Sequence, residues 1–256
     1  MIGHRMLSSR LKAVFRAQFP KQWIAYSIWR SGYREAELDY LSRIVPRARQ
    51  SVDVGANLGV YSRALSKLTP IVHAFEPNRE LAQLLRRTLP RNVIVHEQAL
   101  SSRTGCGTLR TPVVNGRPVF GLASLEEHAA YPGSDQEAVR VAKLDDVLDG
   151  DVGFVKIDVE GHELRVLEGA SSLIERCRPV LLIECEERHN PGAPAALFSH
   201  LKKAGYIGRF LREGVICDIA EFSLTRDQLG DPGAPYIYNF FFFPDGDHLE
   251  LVTKEP

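Results

Sequence analysis

No part of the 256-residue chain is apolar for long enough to cross a bilayer as a helix. Its longest uncharged apolar runs, residues 179–183 and 236–243, fall well short of the ~20 residues a span requires. Net charge is also missing: 32 Lys and Arg balance 32 Asp and Glu, so the chain carries no overall basic footprint for a nucleic-acid backbone. The four cysteines, Cys106, Cys177, Cys185 and Cys217, show no C-x-x-C spacing, which argues for reduced thiols in a cytoplasmic protein against a zinc site or disulfide framework. There is no internal repeat and no H-E-x-x-H. What remains is an ordinary globular composition, 44% hydrophobic and 25% charged.

The first 34 residues lack acids altogether and carry seven basic side chains. Leu7, Leu11, Val14 and Phe15 recur at helical spacing. The reading favoured here is a helical N-terminal extension, residues 1–45, docked as a lid over a domain spanning 46–256. A membrane-surface helix giving peripheral membrane contact, or a transit peptide, are the alternatives. No apolar core of a secretory signal is present.

From residue 50 the pattern turns regular. Short β-branched runs at 51–54, 71–75 and 93–95 alternate with helical stretches at 60–68 and 78–89, the second with Leu81, Leu84, Leu85 and Leu89 on one side. This is the rhythm of a parallel α/β sheet. Residues 100–145 break it with many glycines and prolines, and are read as hairpins and a mobile loop outside the sheet. The rhythm resumes with a strand at 152–159, a helix at 163–174, a strand at 180–184, a helix at 195–204, and strands starting at 205 and 236. The four consecutive phenylalanines of the last one predict a strand buried on both faces. The expected fold is seven strands, mostly parallel, with helices on both faces.

In such sheets ligands bind beyond the carboxyl ends of the strands, and the chemistry-bearing residues fall there. Asp53-Val54-Gly55-Ala56-Asn57-Leu58-Gly59 provides a glycine turn running into a helix N-terminus. Glu76 ends the next strand, 23 positions after Asp53, where a carboxylate can accept from both hydroxyls of a ribose. Together they point to an adenosine-type nucleotide. NAD and S-adenosylmethionine (SAM) can both use the arrangement. Asn57 stands where a pyrophosphate-binding loop has its second glycine, which favours SAM. Further on, Lys156 and Asp158 share one face of a strand, and Glu160, His162 and Glu163 crowd the following turn. A metal reading of Asp158, Glu160 and His162 ranks second to helix capping by the carboxylates, so no metal is expected.

These blocks resemble the FkbM family of SAM-dependent methyltransferases. The resemblance rests on Val52-Asp53-Val54-Gly55-Ala56-Asn57-Leu58-Gly59-Val60-Tyr61-Ser62, Phe75-Glu76-Pro77-Asn78, Leu144-Asp145-Asp146, and Lys156-Ile157-Asp158-Val159-Glu160-Gly161-His162-Glu163. Leu167-Glu168-Gly169-Ala170 and Arg178-Pro179 with Glu184 continue it in order, over residues 50–210. It implies a Rossmann-like class I methyltransferase fold and O-methylation of a hydroxyl on a sugar, glycolipid or secondary metabolite. By the same resemblance, Asp53, Gly55, Asn57 and Gly59 would hold the methionine side of SAM, Glu76 the ribose, and Gln98 and Ala99 the adenine. Asp158 and Glu160 would face the reacting methyl. Glu184, His162 and His189 are further candidates for the base. An NAD-linked oxidoreductase and a silent nucleotide-binding protein are the competing functions.

Overall fold

The structure is a computed structural model and describes residues 18–31, 35–126, 133–231 and 236–244. The expected amphipathic stretch with Leu7, Leu11, Val14 and Phe15 lies outside the described residues. Helix α1 (Pro20–Ser31) buries Ile24, and α2 (Leu41–Ile44) follows a single 3-10 turn. Strand β1 (Gln50–Val54), α3 (Val60–Leu65), β2 (Val72–Phe75), α4 (Arg79–Thr88) and β3 (Val93–His96) form the first half of the sheet. Asn78 starts α4 by accepting a hydrogen bond from the Leu81 amide (3.0 Å), and Leu81, Leu84 and Leu85 then face inward.

Residues 99–142 leave the main sheet. Strands β4 (Ala99–Leu100), β5 (Gly105–Thr111) and β8 (Asp135–Ala142) make a small sheet in the order β4-β8-β5. Between them β6 (Val113–Val114) and β7 (Arg117–Pro118) form a two-stranded ribbon. After α5 (Leu144–Val147), β9 (Val152–Ile157) re-enters the main sheet beside β1. It is followed by α6 (Glu163–Glu168), α7 (Ser171–Cys177), β10 (Val180–Glu184), α8 (Ala193–Lys203), β11 (Tyr206–Arg212), β12 (Val215–Asp218) and β13 (Asn239–Pro244).

The main sheet runs β12-β11-β13-β10-β9-β1-β2-β3. Pairings from β10 through β3 are parallel; β13, β11 and β12 join antiparallel. The sheet therefore has eight strands where the sequence suggested seven. The extra one, β12, is closed onto β11 by Glu213 and Gly214, both at positive φ (52° and 80°). That is the two-residue hairpin geometry, but Glu-Gly lacks the Asn-Gly or Asp-Gly signature by which such a turn is recognised. The helix expected at 163–174 is also two. Gly169 breaks it where a Cβ would lie 2.0 Å from the Ser101 carbonyl oxygen, and the Asp145 carboxylate caps α7 by accepting from the Ser172 and Leu173 amides.

Alternation places the two cores. Val52, Val54, Val155, Ile157, Phe240 and Phe242 pack under α6, α7 and α8. Phe154, Leu182, Phe241 and Phe243 pack on the other face with Tyr61 and Leu65 of α3 and with Leu41 and Ile44 of α2. The phenylalanine run is thus buried on both faces, as its pattern predicts. Helices cover both faces of a doubly wound sheet. Among the described residues no helix is long and apolar enough to cross a membrane.

Candidate functional site

The carboxyl ends of β1, β2 and β9 meet at one point because residue 55 is glycine. A Cβ there would lie 1.8 Å from the Asp158 carbonyl oxygen, and φ is +80°. Asn57 also holds a positive φ (47°). Its amide donates to Glu76 Oε2 (2.8 Å), while the Asn78 amide donates to Glu76 Oε1 (2.8 Å). Glu76 is buried, and burial pushes its carboxyl up to about 7 against the lowering effect of these two amides. Each oxygen has accepted one hydrogen bond and keeps another lone pair.

A cleft of about 600 Å³ opens here to solvent. It is lined by Gly55, Asn57 and Glu76, by Gln98 and Ala99, and by Asp158, Glu160 and His162; its acidic far end begins where the Asp158 backbone meets Gly55. Its roof comes from the excursion between β5 and β8: Phe120, Gly121, Ala123, Ser124 and Leu125. Two contacts fasten the roof to the far end. Ser124 Oγ donates to the Glu160 carbonyl (2.8 Å), and Glu126 Oε1 stands 2.6 Å from His162 Nδ1. His162 Nε2 is engaged in turn by Ser101 Oγ at 2.9 Å.

The far end is dominated by acids around a lysine that is 1% exposed. Lys156 Nζ lies 3.8 Å from Asp158, 4.0 Å from Glu184 and 3.3 Å from Asn239 Oδ1, and 5.1 Å from the centre of the Tyr61 ring. Burial alone would lower its basicity, but Asp158, Glu184, Glu35 and Asp53 outweigh that and hold the ammonium above its usual range. Burial pushes Asp158 up to about 7, with Lys156 opposing and Glu160 adding to the rise. Burial and the Asp158 charge push Glu184 up to about 10. Glu160 adopts a positive φ (54°), and Gly161 after it is at 97°. A carboxylate side chain is thereby held at a sharp turn in a backbone region that L-residues avoid, a conformation that clusters at functional sites. Glu163 turns back to accept from the Gly161 amide (2.9 Å), which braces the turn ahead of α6.

Of the residues expected from sequence, Gly55, Asn57, Glu76, Gln98, Ala99, Asp158 and Glu160 line this one cleft. Asp53 and Gly59 do not. Asp53, within β1 and in register with Lys156, accepts from Ser62 Oγ (2.5 Å), and burial raises it to about 6. Gly59 opens α3 against Leu85 and Leu89. The roof comes from the 100–145 excursion, a segment that sequence reading leaves free to cover the site, although no periodicity marks the individual residues that line it. Sequence reading missed Glu35, which accepts hydrogen bonds from Tyr61 and Asn239 in the buried network around Lys156. A long-range pairing of that kind leaves no local signal. Both ring nitrogens of His162 are directed away from Asp158 and Glu160, to Glu126 and Ser101.

Comparison with known proteins agrees with this geometry. Residues 53–207, more than half of the chain, match the methyltransferase FkbM domain. The hexuronic acid methyltransferase AglP of Haloferax volcanii is 26% identical over 205 residues, covering 78% of this chain and 82% of that protein. The solved structure of methyltransferase FkbM from Methylobacillus flagellatus KT superposes with a TM-score of 0.51 at 20% identity. That match covers 77% of this chain but only 44% of the other, so this chain spans less than half of that solved chain, and the likeness speaks for the Rossmann-like fold. From the matched domain and the cleft it builds, the chain belongs to the FkbM methyltransferase family.

Proposed function

We propose that the protein transfers a methyl group from SAM to a hydroxyl oxygen of a sugar. The observation that carries this reading is the cleft that Glu76 and the Gly55 loop line together with Asp158 and Glu160. The residues fit the cofactor. Glu76 keeps lone pairs for a ribose, Gln98 and Ala99 adjoin it as an adenine would require, and Leu109, Phe120 and Leu125 supply apolar walls. Asn57, with its amide tied to Glu76, leaves a side chain where a dinucleotide loop needs glycine. The NAD reading therefore has no support from either the loop or the family.

When bound, SAM supplies an electrophilic methyl on a sulfonium. The protein's part is to align a hydroxyl with it and remove the hydroxyl proton as attack proceeds. Asp158, with a carboxyl near neutrality at the acid end, suits the base, and Glu160 beside it completes the pair. The name of the Haloferax volcanii relative, a hexuronic acid methyltransferase, supports a sugar acceptor. Calorimetric titration with SAM, its demethylated product and NAD tests the cofactor. Methyl transfer to a panel of neutral and uronic-acid glycosides tests the acceptor. SAM and its product should bind and NAD should not, and Asp158→Asn should retain SAM affinity while losing turnover. Binding of NAD in place of SAM would overturn the reading.

A further inference from the structure

We propose that Glu160, Glu186 and His189 form a binding site for a divalent cation, Mn²⁺ or Mg²⁺, at the acid end of the cleft. Glu160 follows β9, and Glu186 and His189 follow β10, its parallel neighbour. The two turns are locked together by their backbones. Asn190 Nδ2 donates to the Gly161 carbonyl (3.0 Å), and the His189 carbonyl lies 3.1 Å from where a Cβ on Gly161 would be. Within the second turn the His189 and Asn190 amides both donate to the Glu186 carbonyl. Three potential ligands from two elements are thus held in place by the Asn190 side chain and main-chain contacts rather than by their own side chains.

The donor atoms lie within 4.8 Å of one another. His189 Nδ1 is 2.6 Å from Glu160 Oε2 and 3.5 Å from Glu186 Oε1. Neighbouring ligands on an ion at ~2.1 Å sit about 3 Å apart, so the pair of distances brackets the spacing an ion sets. Side-chain exposures are 12%, 1% and 10% for Glu160, Glu186 and His189, which shields the group from bulk water.

A second observation marks the same spot. Oε2 of Glu160 and Oε2 of Glu186 are buried without a hydrogen-bond partner. Buried carboxylate oxygens are rarely left so. His189 Nδ1 at 2.6 Å from the first and Arg188 Nε at 2.7 Å from the second hold them as ion pairs, and Arg188 Nη2 donates to the other Glu186 oxygen, Oε1 (2.8 Å). A cation needs no aligned N–H and would satisfy both oxygens at once. Asp158 and Glu184 adjoin Glu160 within the same 4.8 Å limit, which adds oxygen donors and negative charge on the cleft side. Carboxylate oxygens with one imidazole suit Mn²⁺ or Mg²⁺ better than a thiolate-seeking metal. Cys185, between Glu184 and Glu186, points into the core and offers no sulfur.

Glu160 lines the cleft, so an ion there would stand at the acceptor end and could coordinate an acceptor oxygen. That role rests on the methyl-transfer reading; binding of the ion does not. The test is titration of chelator-stripped, full-length protein with Mn²⁺, following the free-ion paramagnetic resonance signal, with SAM calorimetry run on the same sample. One Mn²⁺ per chain is expected, displaced by excess Mg²⁺. Glu186→Gln, Glu160→Gln and His189→Gln should each weaken it roughly tenfold or more, and the exposed Glu175→Gln should not. Circular dichroism identifies any variant that fails to fold, and three independent ligand variants keep the result decidable. Absence of stoichiometric Mn²⁺ binding, or binding unchanged in all folded ligand variants, overturns the site even if SAM binds. Mn²⁺ bound and lost in the variants while SAM fails to bind supports the site and removes the methyl-transfer reading alone.

Discussion

At the glycine-loop end of the cleft, Glu76 is buried with both oxygens met by backbone amides. At the other end Asp158, Glu160, Glu184 and Glu186 crowd around Lys156, Arg188 and His189, and two buried oxygens lack a hydrogen-bond partner. The first end is complete without a ligand, because its donors belong to the chain's own turns. The second end is held by charge between residues distant in sequence. On the proposed function, the first end would hold the nucleoside and the second the acceptor, the division a two-substrate transferase requires.

The strongest way to break this contrast is to remove the cation that holds the acids together. Lys156→Met keeps the length of the side chain in a position that is 1% exposed, yet leaves Asp158, Glu184 and Glu35 facing one another without compensation. Loss of one partner from a buried charged group costs about 3–5 kcal/mol. Urea denaturation should show a loss of that size, and adding Glu184→Gln to the same chain should restore part of it. A Lys156→Met protein as stable as wild type would mean that the acids are already neutral and that the second end is not charge-held.

The glycine-loop end is sharpened by Glu76. Glu76→Ala should cost about 1.5–3 kcal/mol of SAM affinity, tenfold or more, since a hydrogen bond to a charged acceptor is lost. The carboxyl sits up at about 7 in the free protein, so its ionised form, the acceptor for ribose hydroxyls, disappears as pH falls through that value. SAM affinity of the wild type should therefore fall from pH 8 to pH 6 along the titration of a group at about 7, and Glu76→Gln should flatten that part of the profile. The same raised value means that the folded state holds the proton more tightly than the unfolded chain. The associated stability is full below about 4.5 and lost as pH rises through about 7. An unchanged SAM affinity in Glu76→Ala, with the fold intact, would detach Glu76 from the ribose.

The contrast also separates what sequence could show from what it could not. The parallel half of the sheet was legible because each strand and helix carries its own period, and Gly55, Asn57 and Glu76 sit at strand ends where topology alone puts ligands. Several motif blocks prove to be scaffold. Asp145 caps α7 from a distant turn, and Arg178 spans to the carbonyls of Ala204 and Gly205 with its guanidinium over Tyr206. Such residues carry a family pattern without touching the cleft. Glu35, Glu186 and the individual roof residues around Phe120, within an excursion otherwise free to cover the site, were illegible for the opposite reason. They act across the fold, through contacts fixed only when the chain is packed, and nothing in their local spacing announces it.

The smallest expected effect comes from a third way of burying an ionisable group, which is to keep it neutral. His73 Nδ1 and His96 Nε2 stand 3.0 Å apart on β2 and β3, and the His96 ring stacks on Phe75 at 4.4 Å between ring centres. Burial lowers His96 to about 4, and the His73 and Arg86 charges push in the same direction. A base whose folded value lies below its unfolded one takes up protons on unfolding, so the stability it contributes is full above about 6.5 and is lost as pH falls towards about 4. Because the ring is partly reached by solvent, the swing should be about 1 kcal/mol rather than the full shift. His96→Phe preserves the stack and cannot be protonated, so its stability should vary less between pH 6.5 and pH 4.5 than that of the wild type, while SAM affinity at pH 7.5 stays the same. Identical acid profiles would assign the acid sensitivity of the sheet to His73, whose ring also meets Gln50 at 3.1 Å. A drop in SAM affinity would show that the β2–β3 edge supports the Glu76 turn, whose amide donates to the His96 carbonyl at 3.0 Å, and that the glycine-loop end is less independent of its neighbours than its hydrogen bonds imply.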